Sequence, residues 1–183
     1  MTHLNDSLLS TQLIKTVISQ LTIDWRGIHG ITHWARVLHI GLYLAKMNGA
    51  NPKVVQLFAL FHDSKRMTER MTEGGDPDHG PRAAQFVMSL HERLFKLGGN
   101  ELHLLVEACR NHTSSADHEN MTVKTCFDAD RLDLGRVGIR PDKLLLCTKE
   151  AKQAETISWA YRQSLRKAPP HNVLTTFYQE NSL

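Results

Sequence analysis

Apolar residues recur along most of this chain at intervals of three and four, and nowhere do they alternate convincingly over a strand-length window. The pattern predicts an all-α fold. Helices are expected over Leu8 to Leu21, Thr32 to Asn48 stopped by Gly49, Pro52 to His62, and Pro81 to Leu97 stopped by Gly98-Gly99. Further helices are expected over Glu101 to Asn111, Val123 to Leu132, Pro141 to Ala151, Ala154 to Lys167 and Asn172 to Tyr178. The intervening stretches Asp24 to Ile31, Thr68 to Gly80 and Thr113 to Asn120 are rich in turn residues and read as loops. These loops are expected to rim a site, because function collects on loops held by a rigid frame.

Three of the predicted helices carry polar residues where apolar ones belong. Val54 to Phe61 is apolar almost throughout, with Asn51 as cap and Pro52 at the first helical position, so its helix is expected to be buried. It ends in His62-Asp63, and a carboxylate at the end of a buried helix needs a cation. His33 shares a face with Val37, Ile40 and Leu44 at helical spacing and therefore points into the core. In Cys126-Phe127-Asp128-Ala129-Asp130-Arg131-Leu132-Asp133-Leu134, apolar residues surround three carboxylates, again placing acids close to a core. Imidazoles and carboxylates brought together in this way make a hard-to-borderline divalent metal site, and such a site points to hydrolysis.

Composition narrows the alternatives. A chain of 183 residues without an internal repeat makes a single ordinary domain, with residues 151–183 packing on the rest as C-terminal helices. The formal net charge of +3 is mild; it suits anionic substrates and argues against nucleic acid, which would call for a concentrated basic and aromatic stripe. The three cysteines, Cys109, Cys126 and Cys147, form no CxxC pair and read as reduced core residues. Met1 to Leu8 lacks a basic segment leading into a long apolar one, and no later run reaches bilayer-spanning length, so a soluble cytoplasmic protein without a membrane partner is expected. Association of identical chains is compatible with the sequence.

His33 followed by Arg36-Val37, then Ala59-Leu60-Phe61-His62-Asp63-Ser64-Lys65, then Ala129-Asp130-Arg131-Leu132 resemble, in order, the His, His-Asp and Asp elements of HD-domain metal-dependent phosphohydrolases. The resemblance covers roughly residues 25–150. It implies a helical bundle with His33, His62, Asp63 and Asp130 as metal ligands. Asp130 is preferred over the runner-up Asp128, because the family's aspartate follows a small residue and precedes a basic or polar one. Members with two metals carry two further histidines between the His-Asp pair and the last aspartate, and His79 and His112 resemble those positions. A binuclear centre is then implied, with the second ion on His79 and His112 and with Asp63 bridging. Iron or manganese is favoured, while magnesium, cobalt, nickel and zinc suit the same donors.

The expected chemistry is attack of metal-activated water on phosphorus, with Asp63 and His62 as catalytic residues and a small phosphorylated molecule, a nucleotide foremost, as substrate. Lys65, Arg66, Arg82 ahead of a helix, and His29 in the loop before His33 are candidate substrate contacts. Asp133, one helical turn past Asp130, is a candidate for contacting substrate or supporting the ligands. Two other readings stay open: a di-iron oxygenase of the same superfamily, and a ligand-sensing module that kept its metal ligands without turnover.

Overall fold

The Asn51 side chain accepts from the amides of Lys53 and Val54, and Pro52 occupies the first helical position, so the apolar run behind them begins as a helix without orphaned donors. The computed structural model describes residues 8–70, 75–166 and 168–180 and contains eight α-helices among them, with no β-sheet. They are α1 (Thr11–Ser19), α2 (Ile31–Asn48), α3 (Pro52–Phe61), α4 (His79–Leu90), α5 (Gly99–Asn111), α6 (Met121–Arg131), α7 (Ala154–Ser164) and α8 (Val173–Glu180). The fold is all-α, as the apolar spacing predicts.

Helix α2 lies at the centre, packed by α3, α6 and α8, while α5 packs against α3, α4 and α6. Trp34, Ile40 and Leu44 of α2 and Leu57, Phe58 and Phe61 of α3 are fully buried in one apolar core. Gly41 permits the close crossing at its middle: a Cβ there would stand 2.6 Å from Val55 Cγ1 and 3.3 Å from Ala129 Cβ. The helix closes at Gly49, whose φ of 76° is the left-handed conformation that a side chain resists.

Four expected boundaries are corrected. Helix α1 starts at Thr11 rather than Leu8, because Ser10 accepts from the Leu13 amide and caps it there. Helix α4 stops at Leu90 rather than Leu97: His91 leaves the helical conformation, Glu92 takes a φ of 63°, and the His91 ring bonds Leu97. Pro141 to Ala151 forms no α-helix. Asp142 caps a single 3-10 turn at Lys143–Leu145, and the chain then runs as a strap held by Asp128, which accepts from the amides of Cys147 and Thr148 and from the Thr148 hydroxyl. Helix α7 ends at Ser164, short of the expected Lys167, with Leu165 as its cap. Lys167 itself, the segment 1–7 and residues 71–74 of the Thr68 to Gly80 loop lie outside the described residues. Among the described residues no helix is long and apolar enough to cross a membrane.

Candidate metal centre

Five helices deliver six side chains to one point. His33 comes from the first turn of α2, His62 and Asp63 from the end of α3, His79 from the start of α4, His112 from the end of α5 and Asp130 from the last turn of α6. Helix ends suit this purpose, because there the chain can turn a polar side chain inward without interrupting the apolar core. Gly80 makes the meeting of α4 and α5 close: a Cβ would stand 2.7 and 2.8 Å from the carbonyl oxygens of Arg110 and Cys109.

The six fall into two sets of three donors, His33 with His62 and Asp130, and Asp63 with His79 and His112. Within each set the donor atoms lie within 4.8 Å of one another. Asp63 belongs to both: its Oδ2 is 3.5 Å from the Nε2 atoms of His33 and His62, and its Oδ1 is 3.2 Å from His79 Nε2 and 3.9 Å from His112 Nε2. One carboxylate thus spans the two clusters.

Every imidazole is oriented by its other nitrogen. His33 Nδ1 meets Asp133 Oδ2 at 2.7 Å, His62 Nδ1 meets the Phe58 carbonyl at 3.2 Å, and His112 Nδ1 meets the Cys109 carbonyl at 2.9 Å. His79 Nδ1 meets the Asp76 carbonyl. Each acceptor draws the ring proton to Nδ1 and leaves the Nε2 lone pair aimed inward. Two such lone pairs face each other at 3.1 Å between His33 and His62, and at 2.9 Å between His79 and His112. Lone pairs so placed repel unless a positive charge fills the gap, either a proton on one Nε2 or a cation held between the two rings. Imidazole and carboxylate donors without thiolate fit divalent ions such as zinc, iron or manganese.

The ionisation of the ligands follows from the same crowding. Burial and the Arg136 charge work to lower the pKa of His33, but Asp130, Asp133 and Asp63 outweigh them and raise it to about 9. Burial dominates at His62 and holds it down to about 3. Burial also lowers His112. For Asp63 and Asp130 burial opposes ionisation, yet the surrounding imidazoles hold both carboxyls well below the usual range. The site keeps two carboxylates ionised and His62 and His112 neutral, as ligation requires, while His33 carries a proton that a bound cation would displace.

A cleft of about 210 Å³ opens onto this centre, with Asp63, His112 and Asp130 on its floor and Arg66 and Arg136 on its walls. Arg66 donates to Asp63 Oδ1 at 3.0 Å, and Arg136 is held by the carbonyls of Ile28 and Asp133. The other expected substrate contacts lie elsewhere. Lys65 reaches Gln20 and sits 4.1 Å over the Phe86 ring, and Arg82 is held by both Asp76 oxygens at 2.6 Å and by the Lys65 carbonyl. His29 is fully buried beside His33, with Nδ1 2.6 Å from Glu69 Oε2. Asp133 is fully buried and accepts from both His33 and Arg36, so it orients the His33 ring and does not face the cleft. The runner-up Asp128 is committed to the strap. Arg136 was not among the sequence candidates; it sits on the 3-10 turn Leu134–Val137 beyond the aspartate motif, where no sequence pattern marks it.

A family model described as HD domain matches residues 30–165. The chain belongs to the HD domain family. A crystal structure of a predicted HD superfamily hydrolase from an uncultured Thermotogales bacterium is similar over 93% of this HD domain chain and 90% of that one, with 22% identity and a TM-score of 0.61. That likeness shows a shared fold. No curated protein matches the chain.

Proposed function

We propose that this HD domain protein is a metal-dependent phosphohydrolase that cleaves a phosphomonoester, phosphoanhydride or phosphodiester in a small phosphorylated molecule, nucleotides included. The observation that carries the reading is the pair of three-donor clusters joined by Asp63 at the floor of an arginine-walled cleft. Membership of the HD family and the shared fold with a protein described as a predicted hydrolase support it.

His33, His62 and Asp130 would hold one divalent ion and His79 and His112 a second, with Asp63 shared, iron or manganese being favoured. When bound, such ions supply a Lewis acid that activates water at neutral pH and neutralises phosphate charge. Asp63 and Asp130 carry two negative charges, so two bound divalent ions would leave the floor net positive and attractive to anions. Arg66 and Arg136 extend that attraction up the walls and orient a phosphoryl group by charge-assisted hydrogen bonds. Asp63 holds both clusters in register and, through Oδ1, also fixes Arg66. The carbonyls and Asp133 behind the imidazoles keep every Nε2 turned toward the metal positions.

The test is phosphate release from a panel of nucleotides and generic phosphate esters with manganese, iron, cobalt or magnesium added. Metal-dependent release that Asp63→Ala and His62→Ala abolish is the expected result. Two irons per chain, no phosphate release and consumption of dioxygen would favour the oxygenase reading instead. Tight retention of a phosphate ester without turnover would favour a sensing module.

A further inference from the structure

Beside the cleft over the metal ligands lies a second, larger cavity of about 330 Å³, at the lower end of the range of small-molecule pockets, about 300–1,000 Å³. The two chambers share Thr113, Arg131 and Leu134 in their walls, so they adjoin. Their linings differ in kind. The larger chamber is walled by Leu134, Pro141, Leu144, Leu145 and Leu146, with the Ser114 to Ala116 stretch opposite. Its one cation among the described residues, Arg131, is engaged: it donates to the carbonyls of Ser115, Ala116 and Leu145 at 2.5, 2.8 and 2.9 Å. Asp142 adds a carboxylate. The arginine-walled chamber adds Arg66 and Arg136 to the shared Arg131, whereas this one adds no further cation and a carboxylate, so an anion is favoured in the former.

The strap from Pro141 to Leu146 presents apolar residues in an unusual way. Leu144 and Leu145 are 86% and 63% exposed, although both line the chamber. Together with Leu134, Pro141 and Leu146 they form a contiguous apolar lining, and contiguous exposed apolar surface marks ligand-binding grooves. Arg131 holds the strap at the Leu145 carbonyl and Asp128 holds it at the Cys147 and Thr148 amides, while the Asp142 cap fixes its turn at Leu144.

Resting on the phosphohydrolase reading, we propose that the larger chamber is the leaving-group subsite and that the substrate is a phosphate ester whose alcohol carries an apolar, ring-sized group. The phosphoryl end lies over Asp63, Arg66 and Arg136, and the apolar end lies against Leu134, Leu144 and Leu145. Sugar phosphates and inorganic polyphosphates are the classes this arrangement disfavours.

The test uses non-hydrolysable ligands on manganese-loaded protein. Calorimetric affinities of 1-naphthylphosphonate and methylphosphonate are compared for the wild type and for Leu144→Asp and Leu145→Asp, both exposed positions where folding is least at risk. The expected result is a preference for the naphthyl compound of roughly tenfold or more, in the range that apolar pocket contacts supply, and its loss in the variants. Equal affinities in the wild type, or a preference that survives in both variants, overturns the subsite. Phosphate release from phenyl phosphate and glycerol phosphate is measured in parallel. Release without a naphthyl preference removes the subsite and leaves the hydrolase reading standing. A naphthyl preference without release from any ester does the reverse, and failure of both phosphonates to bind together with no release removes both.

Discussion

Replacing Asp133 with asparagine would separate ligand orientation from ligand identity. Its two carboxylate oxygens serve two donors, His33 Nδ1 and Arg36 Nε, each at 2.7 Å. Asparagine offers one acceptor oxygen and turns an NH₂ toward the other donor, so the isosteric change cannot satisfy both. If His33 loses its partner, its ring is free to rotate or to place the proton on Nε2, where the metal belongs. Loss of such a supporting contact costs about 10- to 100-fold in metal affinity, or about 1.4–2.7 kcal/mol. If Arg36 loses it instead, a buried guanidinium is left unpaired, at a cost of about 3–5 kcal/mol in stability. Asp133→Asn is therefore expected to weaken metal binding, to lower Tm, or both. Affinity is read by competition with a chromophoric chelator, and Tm of the metal-free protein by calorimetry. Arg36→Gln serves as control, since it keeps the Asp133–His33 contact and should retain affinity better than Asp133→Asn. A folded Asp133→Asn protein with wild-type affinity and wild-type Tm would refute the role assigned to this carboxylate.

Two further outcomes are expected. Gly80→Ala drives a Cβ into the carbonyls of Arg110 and Cys109, which as backbone cannot turn aside, so α4 should move off α5 and part His79 from His112. Metal content should fall toward one ion per chain, and an unchanged content would contradict the close-approach argument. The Asp76 carboxyl sits below its usual range because, against its burial, Arg82 and the Met67 amide bond its ionised form. A depressed folded value adds stability above the unfolded pKa of about 3.9 that is lost as pH falls through the folded value. Asp76→Asn should thus lower Tm by about 2–4 °C at pH 7, with the difference from wild type shrinking below about pH 4. A difference that stays constant with pH would show that the ion pair is not its source.

The parts of the structure that local pattern dictates were legible in the sequence. The Asn51-Pro52 start, the Gly49 stop and the inward face of His33, Val37, Ile40 and Leu44 follow from capping and helical spacing alone. The strap from Pro141 misled because a proline followed by three leucines imitates a helix start, whereas Leu144 and Leu145 have no apolar partner to bury against and Asp142 caps a single turn. The overrun of α4 past Leu90 has the same character: the His91 side chain supplies Leu97 with a bond that continued helix would have supplied otherwise. At the site, basic residues next to the motif looked like substrate contacts by adjacency. Adjacency in sequence does not report direction, and Arg82 and Lys65 are spent on Asp76, Gln20 and Phe86. Arg136 and the orienting role of Asp133 depend on the ends of α2 and α6 meeting in space, over sequence separations of about a hundred residues.

The central claim is that six side chains make two adjoining metal positions sharing Asp63. Metal content per chain, measured by inductively coupled plasma mass spectrometry after purification without chelator, tests it most directly. Two ions are expected for the wild type, one for His79→Ala and for His112→Ala, and none for Asp63→Ala. A wild type that holds no more than one ion in excess metal, or a folded His79→Ala protein that still holds two, would contradict it.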